Sequence, residues 1–246
     1  MNFSFFKKAP VKPNLSFLGV DMHSHLLPGI DDGLKTVEQT VKFVRELHEM
    51  GYQKFICTPH ILNGVHNNNP EKIEAALQIA RNAIIEAEIP VTIEAAAEYM
   101  IDDSFENLLK SDSKLLTFGK NYILIEMSYL AMPFNIYEVL FELQIRGYQP
   151  ILAHPERYNF YHNDFKRYEE MRDRQILFQI NLLSLSGYYG KEVKKIGEKL
   201  IEANMVEFIG LDMHHETHLQ ATKDFTSTKA FYDLVEKIPF LNKTLL

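Results

Sequence analysis

The sequence predicts an α/β fold on a parallel sheet, and three observations predict it. From Phe17 onward, short apolar runs alternate with stretches of helical periodicity, giving seven strand-then-helix units. Glycine or proline punctuates several junctions, as at Gly51, Pro70 and Gly147. Ionisable residues collect at the strand ends, the face on which parallel α/β folds gather their sites. Repeated β-then-α units imply right-handed crossovers in a sheet that is either open and doubly wound or closed into a barrel. Periodicity alone does not choose between them. The 246 residues contain no visible linker, so a single domain is expected over 1–246, with a short N-terminal arm over 1–16.

The elements read as follows. Phe17 to Met22 is a strand, and Thr36 to Met50 a helix with Val37, Val41, Val44 and Leu47 on one face and Gly51 as its stop. Phe55 to Thr58 is a strand, Asn63 to Asn69 a polar loop, and Pro70 the first-turn proline of a helix reaching about Ala87. Strands then fall at Val91 to Ala97, Tyr122 to Met127, Gln149 to Ala153, Ile176 to Ile180 and Val206 to Leu211. The intervening helices fall at Ser104 to Lys110, Asn135 to Arg146, Asp164 to Arg174 and Lys191 to Ala203, with a last one at Ser227 to Glu236. The arm (FFKKAPVKPN) reads as a surface tail; Phe3, Phe5, Phe6, Lys7 and Lys8 are its only docking candidates.

Composition excludes several classes. Hydrophobic residues at 46% and charged residues at 24% suit a globular core and not disorder. No apolar run approaches the ~20 residues of a membrane span, and the start does not read as a signal peptide, so a cytoplasmic protein without stable membrane insertion is expected. A formal charge of −7 argues against nucleic-acid binding. Cys57 is the only cysteine, which excludes internal disulfides and thiolate zinc frameworks. A thiol phosphatase loop would need an Arg six residues beyond it, where Asn63 stands. Any metal must be held by His, Asp and Glu.

Those residues recur in one place. The first strand and its turn carry His23, His25, Asp31 and Asp32; later strand ends carry His60, Glu98, Glu126, His154, Asp212 and His214. Any one alone is ordinarily a satisfied polar residue, and even His23-x-His25, whose side chains share a strand face, is a moderate signal. The joint pattern is not a chance placement: five of the ten histidines lie at these ends, beside the carboxylates of Asp32, Glu98, Glu126 and Asp212. This donor set suits two or three ions of zinc, manganese or iron. Three divalent ions against four carboxylates leave positive charge for an anionic substrate, which points to phosphate ester hydrolysis. Arg157, on the loop of His154, is the candidate phosphate clamp; its alternative is a surface Arg paired with Glu156 or Glu169.

DMHSHLLPGIDDG, TPH, AEY, LIEMS, AHPERY and GLDMH, in that order, resemble the motifs of the polymerase and histidinol phosphatase (PHP) superfamily. Within it, HxHxLPGIDDG with HPERY is similar to the manganese-dependent tyrosine-protein phosphatases of capsule and exopolysaccharide loci. The resemblance covers nearly the whole chain from Phe17. It implies a distorted (β/α)7 barrel with three metal ions, manganese first and zinc or iron as alternatives, at the C-terminal strand ends. By it, His23, His25, Glu98 and Asp212 would hold one ion, Glu98 would bridge to a second held with Glu126 and His154, and Asp32, His60 and His214 would hold a third. The implied substrate is phosphotyrosine on protein, including an autophosphorylating tyrosine kinase of polysaccharide export. Arg157, His60 and His214 are the catalytic candidates, and Arg157, Tyr158 and His218 the substrate-binding ones; Tyr129 and Tyr161 are further candidates to pack on the substrate ring. The chain departs from the pattern in having no Arg after Arg174, where relatives commonly carry a second; His215 and His218 stand in that segment. The alternatives are a PHP phosphoesterase for a small metabolite such as histidinol phosphate or for a phosphodiester, an amidohydrolase, and a silent binding module. An amidohydrolase wants a Lys near strand four and His near strands five and six, where Glu126, His154 and Asn181 stand; a silent module would have lost ligands.

Overall fold

The strands run parallel throughout and fall into two sheets. The computed structural model describes residues 13–111, 113–235 and 238–246. β1 (Val20–Asp21), β2 (Lys54–Cys57) and β4 (Thr92–Ala95) form one sheet in the order β1-β2-β4. β3 (His60–Ile61), β5 (Glu98–Met100), β6 (Tyr122–Glu126), β7 (Gln149–Ala153), β8 (Leu177–Asn181) and β9 (Phe208–Gly210) form the other, in that order.

Two expected strands, β2 and β4, are each followed after a break by a short strand, β3 and β5, that the sequence reading does not include. The first break falls at Thr58-Pro59, where the proline has no N–H to give a ladder. Hydrogen bonds still cross the breaks, from Ala96 N to the Cys57 carbonyl at 2.8 Å and from Glu98 N to the Pro59 carbonyl at 3.1 Å. No ladder joins β1 to β9, but their neighbourhoods are stitched. Asn242 donates to the carbonyls of Val20 (3.0 Å) and Ile209 (2.7 Å). Beyond the strands, Ser24 and Met213 form a single parallel bridge.

The helices are α1 (Val37–Glu49), α2 (Pro70–Glu86), α3 (Asp103–Lys110), α4 (Ile136–Ile145), α5 (Lys166–Asp173), α6 (Leu182–Ser186), α7 (Lys191–Glu202), α8 (Glu216–Thr226) and α9 (Lys229–Val235). Thr36 and Gln39 close a reciprocal capping box on α1, and Asn69 caps α2 ahead of Pro70. On α1 the buried face is Thr40, Phe43, Val44 and Leu47, with Val37 and Val41 half-buried at its margin. Two helices escape the sequence reading. α6 follows β8 without a loop, and α8 carries mostly polar side chains, so neither shows an apolar period.

Alternation along the strands divides the core. Ile123 and Ile125 of β6 belong to the large cluster beneath the helices, whereas Leu124 joins Val20, Met22, Ile56, Ala96, Ile151 and Phe208 in a second, smaller one. The first strand is shorter than expected because Ser16 to Leu18 form a turn before Val20. Leu15, at the end of the arm, is fully buried and donates to the Met50 carbonyl. Residues 1–12 of the arm, including Phe3, Phe5, Phe6, Lys7 and Lys8, and the expected helix end at Glu236 lie outside the described residues. Among the described residues no helix is long and apolar enough to cross a membrane.

Candidate metal centre and active site

The strand ends converge as parallel topology requires. His60 pairs with Glu98 in register across β3 and β5, Glu126 ends β6, His154 directly follows β7, and Asp212 stands two residues beyond the end of β9. His154 (φ 36°) and Asp212 (φ 48°) both take the left-handed conformation, uncommon outside glycine but better tolerated by Asp and His than by most side chains, and found at functional sites. Two glycines permit close approach. A Cβ on Gly33 would lie 2.2 Å from the His25 carbonyl oxygen, and one on Gly210 would lie 2.8 Å from Cβ of His23.

Their side chains form one cup. His23 Nε2 lies 3.2 Å from Glu98 Oε2 and 3.4 Å from Asp212 Oδ1; His25 Nε2 lies 3.4 Å from each of the same two oxygens. His60 Nδ1 is 3.0 Å from Glu126 Oε1, and His154 Nε2 is 3.0 Å from Glu98 Oε1. His214 Nε2 lies 3.4 Å from Asp32 Oδ1. Four sets of donor atoms, each within 4.8 Å, emerge: His25, Asp32, His60 and His214; His23, His154 and Asp212; His23, His25 and Glu98; His60, Glu98 and Glu126. Together they contain all nine residues singled out as ligands from sequence. The partition differs, since His154 groups here with His23 and Asp212, and His60 also joins Glu98 and Glu126.

The donors fit cations. Glu98 Oε2 and His60 Nδ1 are buried and have no hydrogen-bond partner, a costly state that a bound cation relieves. The cup itself draws positive charge. Burial pushes His23 down, yet the carboxylates of Glu98 and Asp212 outweigh it and lift the imidazole to about 9. Against burial, the His23 and His60 imidazoles hold the Glu98 carboxyl well below the usual range, and His23 and His25 do the same for Asp212.

A further layer aims the imidazoles. His23 Nδ1 meets Gln179 Oε1 at 2.7 Å and His25 Nδ1 meets Asp31 Oδ2 at 2.7 Å, so with a cation in the cup each Nδ1 would keep its proton and each Nε2 would present its lone pair to the ion. Gln179 donates to Asn181 Oδ1, and Asn181 to Asp212 Oδ2 at 2.7 Å, closing a chain from His23 to Asp212. Gln179 and Asn181 were not singled out from sequence. Their signal is two polar residues at period two in the otherwise apolar end of β8.

Above the cup lies a cavity of about 280 Å³ whose wall includes Tyr129, Arg157, Tyr189, His215 and His218. Arg157 Nη1 donates to Asp212 Oδ2 at 2.9 Å, and its guanidinium carbon lies 4.8 Å from the Tyr129 ring centre and 4.3 Å from that of Tyr189. It is not a surface Arg paired with Glu156. That carboxylate is buried and accepts from Ser184 Oγ (2.6 Å) and Asn181 N (2.9 Å). His218 abuts His215, and burial followed by that neighbour pushes its imidazole down to about 4. Tyr158 stands apart. It is fully buried, its hydroxyl accepts the Met127 N–H at 2.9 Å, and it does not line the cavity. Tyr161 is buried as well. Tyr189, which takes the place beside Arg157, carries no sequence signal.

A parallel α/β fold whose strand ends bear a His/Asp/Glu cup, with a guanidinium in the cavity wall, defines a metal-centred hydrolase class. More particularly, the chain belongs to the CpsB/CapC family of capsular polysaccharide synthesis, whose family model matches residues 19–245. It is 30% identical over 215 residues to the tyrosine-protein phosphatase YwqE of Bacillus subtilis (strain 168), covering 87% of this chain and 83% of the relative. It is 30% identical over 202 residues to the tyrosine-protein phosphatase CpsB of Streptococcus pneumoniae, covering 80% and 83%. A solved structure from the work on YwqE and CpsB, described as unique metal-dependent tyrosine phosphatases, superposes with a TM-score of 0.77 at 28% identity over 92% of this chain and 94% of the other. The lactonase Lmo2620 of Listeria monocytogenes shares the fold alone, with a TM-score of 0.52 at 10% identity over 96% of this chain and 94% of that one.

Proposed function

We propose that this chain is a metal-dependent protein-tyrosine phosphatase of capsule or exopolysaccharide synthesis. The observation that carries the reading is the convergence of nine His, Asp and Glu ligand candidates beneath a cavity that has Arg157 in its wall. The activities named for YwqE and CpsB support it. We assign three divalent ions because the donor sets are several and two of them share Glu98; the family resemblance puts manganese first. We further read the two sheets as one distorted (β/α)7 barrel in a single domain, since the smaller core cluster draws on residues of both sheets. A cytoplasmic location and an autophosphorylating tyrosine kinase as substrate belong to the same reading.

Bound divalent ions would supply hydroxide at neutral pH and neutralise phosphoryl oxygens. The chain's own residues do the rest. Arg157, held by Asp212 and flanked by two aromatic rings, offers directional donors to the nonbridging oxygens. His214 Nδ1 is engaged by the Asp212 carbonyl at 2.8 Å and its Nε2 faces Asp32, so we assign it, like His60, to ligation before proton transfer. His218 takes the His214 N–H at Nδ1, which leaves the proton on Nε2 for a hydrogen bond to the phenolic oxygen of the leaving group. Little more is needed there, because a phenolate with a pKa of ~10 leaves readily. Tyr129 closes the wall on the His154 side by stacking on that imidazole.

Metal analysis combined with turnover of a phosphotyrosyl peptide against histidinol phosphate tests the reading. Metal-dependent turnover with the peptide preferred is expected. Preference for histidinol phosphate, or full activity after complete metal removal, would overturn it.

A further inference from the structure

We propose that a second cleft beside the metal cup, between the 61–69 loop and the start of α3, binds the polypeptide that flanks the phosphotyrosine. The inference rests on the protein-phosphatase reading above and adds the part of the substrate that a small phosphoester lacks. The cleft encloses about 490 Å³. It adjoins the catalytic cavity through a histidine pair. His66 lines the cleft and stacks on His60 of the cup, with ring centres 5.4 Å apart and planes at 16°, and its Nε2 lies 3.9 Å from Asp32 Oδ1. A chain whose modified tyrosine enters the cup therefore meets the cleft next.

The chemistry of the lining suits main chain and an apolar side chain. Ile61, Tyr99, Phe105 and Leu108 supply apolar surface. Part of the asparagine content of the loop is spent on its own shape: Asn68 donates to the Ile30 and His60 carbonyls, and Asn69 caps α2. Asn63 and Asn107 are different. Both line the cleft, both are exposed, and neither side chain pairs with another described residue. A free carboxamide offers an acceptor and two donors, the complement of a peptide bond. No Lys or Arg lines the cleft, and its one carboxylate, Asp102, caps α3, so a phosphate or another anion finds no counter-charge there.

Steady-state kinetics of the metal-loaded enzyme test the proposal, with a phosphotyrosyl peptide extended on both sides and with p-nitrophenyl phosphate. In the Asn63→Ala/Asn107→Ala double variant the peptide KM should rise about tenfold, the loss of one or two hydrogen bonds. Its kcat and both constants for p-nitrophenyl phosphate should stay unchanged. Ser104→Trp, which fills the cleft from its wall, should give the same split, and intact p-nitrophenyl phosphate kinetics certify its fold. Unaltered peptide KM in the double variant overturns the cleft while leaving the phosphatase reading standing. Failure of the unsubstituted enzyme on every phosphotyrosine substrate overturns both.

Discussion

Arg157 donates from Nη1 to Asp212 Oδ2 across 2.9 Å, and Asp212 Oδ1 lies 3.4 Å from His23 Nε2. One carboxylate therefore joins the guanidinium to the cup, and Asn181 shares the same Oδ2 at 2.7 Å. Arg157→Ala should lower kcat/KM on phosphotyrosine by ~10²–10³, the usual cost of one preorganised electrostatic donor. Lys should restore it poorly, because an ammonium does not reproduce the guanidinium fork. Metal content should be unchanged, as Arg is not a ligand. A variant at the parent rate with its metals in place would remove the clamp role and turn attention to His215 and His218.

Activity should depend on metal and not on thiol. Burial, with the Asp21 carboxylate nearby, pushes the Cys57 thiol up to about 12. A thiol with a raised pKa stays protonated, so at neutral and mildly alkaline pH the folded protein presents no thiolate. Iodoacetamide should leave it unmodified until denaturant is added, and Cys57→Ala should keep most turnover while a chelator abolishes it. Chelator-resistant activity lost on alkylation would refute the mechanism.

Glu98 belongs to two of the donor sets and is fully buried. Glu98→Gln keeps the volume but removes the shared charge. We expect metal analysis to show loss at two positions, with turnover falling accordingly. Parent stoichiometry would show that Glu98 is not a bridge.

His218 should remain neutral in mildly acidic solution. Burial and His215 lower its folded pKa from 6.5 to about 4, so the native state favours the unprotonated ring. The stability linked to this group is present above its ordinary pKa and is lost as pH falls from 6.5 toward 4. Long-range nitrogen–proton NMR of zinc-loaded protein labelled at histidine gives the check. A neutral ring, protonated at Nε2, is expected within that interval; an imidazolium signal there would contradict the assignment.

The cup was legible because its members sit in short motifs directly after strands, where parallel topology leaves little choice of position. The supporting contacts were less so. Asp31 was visible beside Asp32, but its bond to His25 Nδ1 depends on the turn that Gly33 allows. Gln179 and Asn181 betrayed themselves as polar residues in a buried strand without showing whom they served. Tyr158 looked like a substrate residue from its place in AHPERY, yet its hydroxyl is spent on Met127. Tyr189 reaches Arg157 from a different loop, across a sequence distance that no local pattern encodes. Pro59 could have announced the strand break, since a proline in a central strand cannot complete its ladder.

The left-handed backbone of His154 and Asp212 makes alanine scanning a misleading instrument at these two positions. Truncation there removes the donor atom and also installs a residue that resists the required dihedral angles, so the measured loss mixes chemistry with conformation. Asparagine tolerates that region of backbone space and is isosteric with aspartate. Asp212→Asn therefore isolates the electrostatic part, and its difference from Asp212→Ala gauges how much the fold invests in holding the turn.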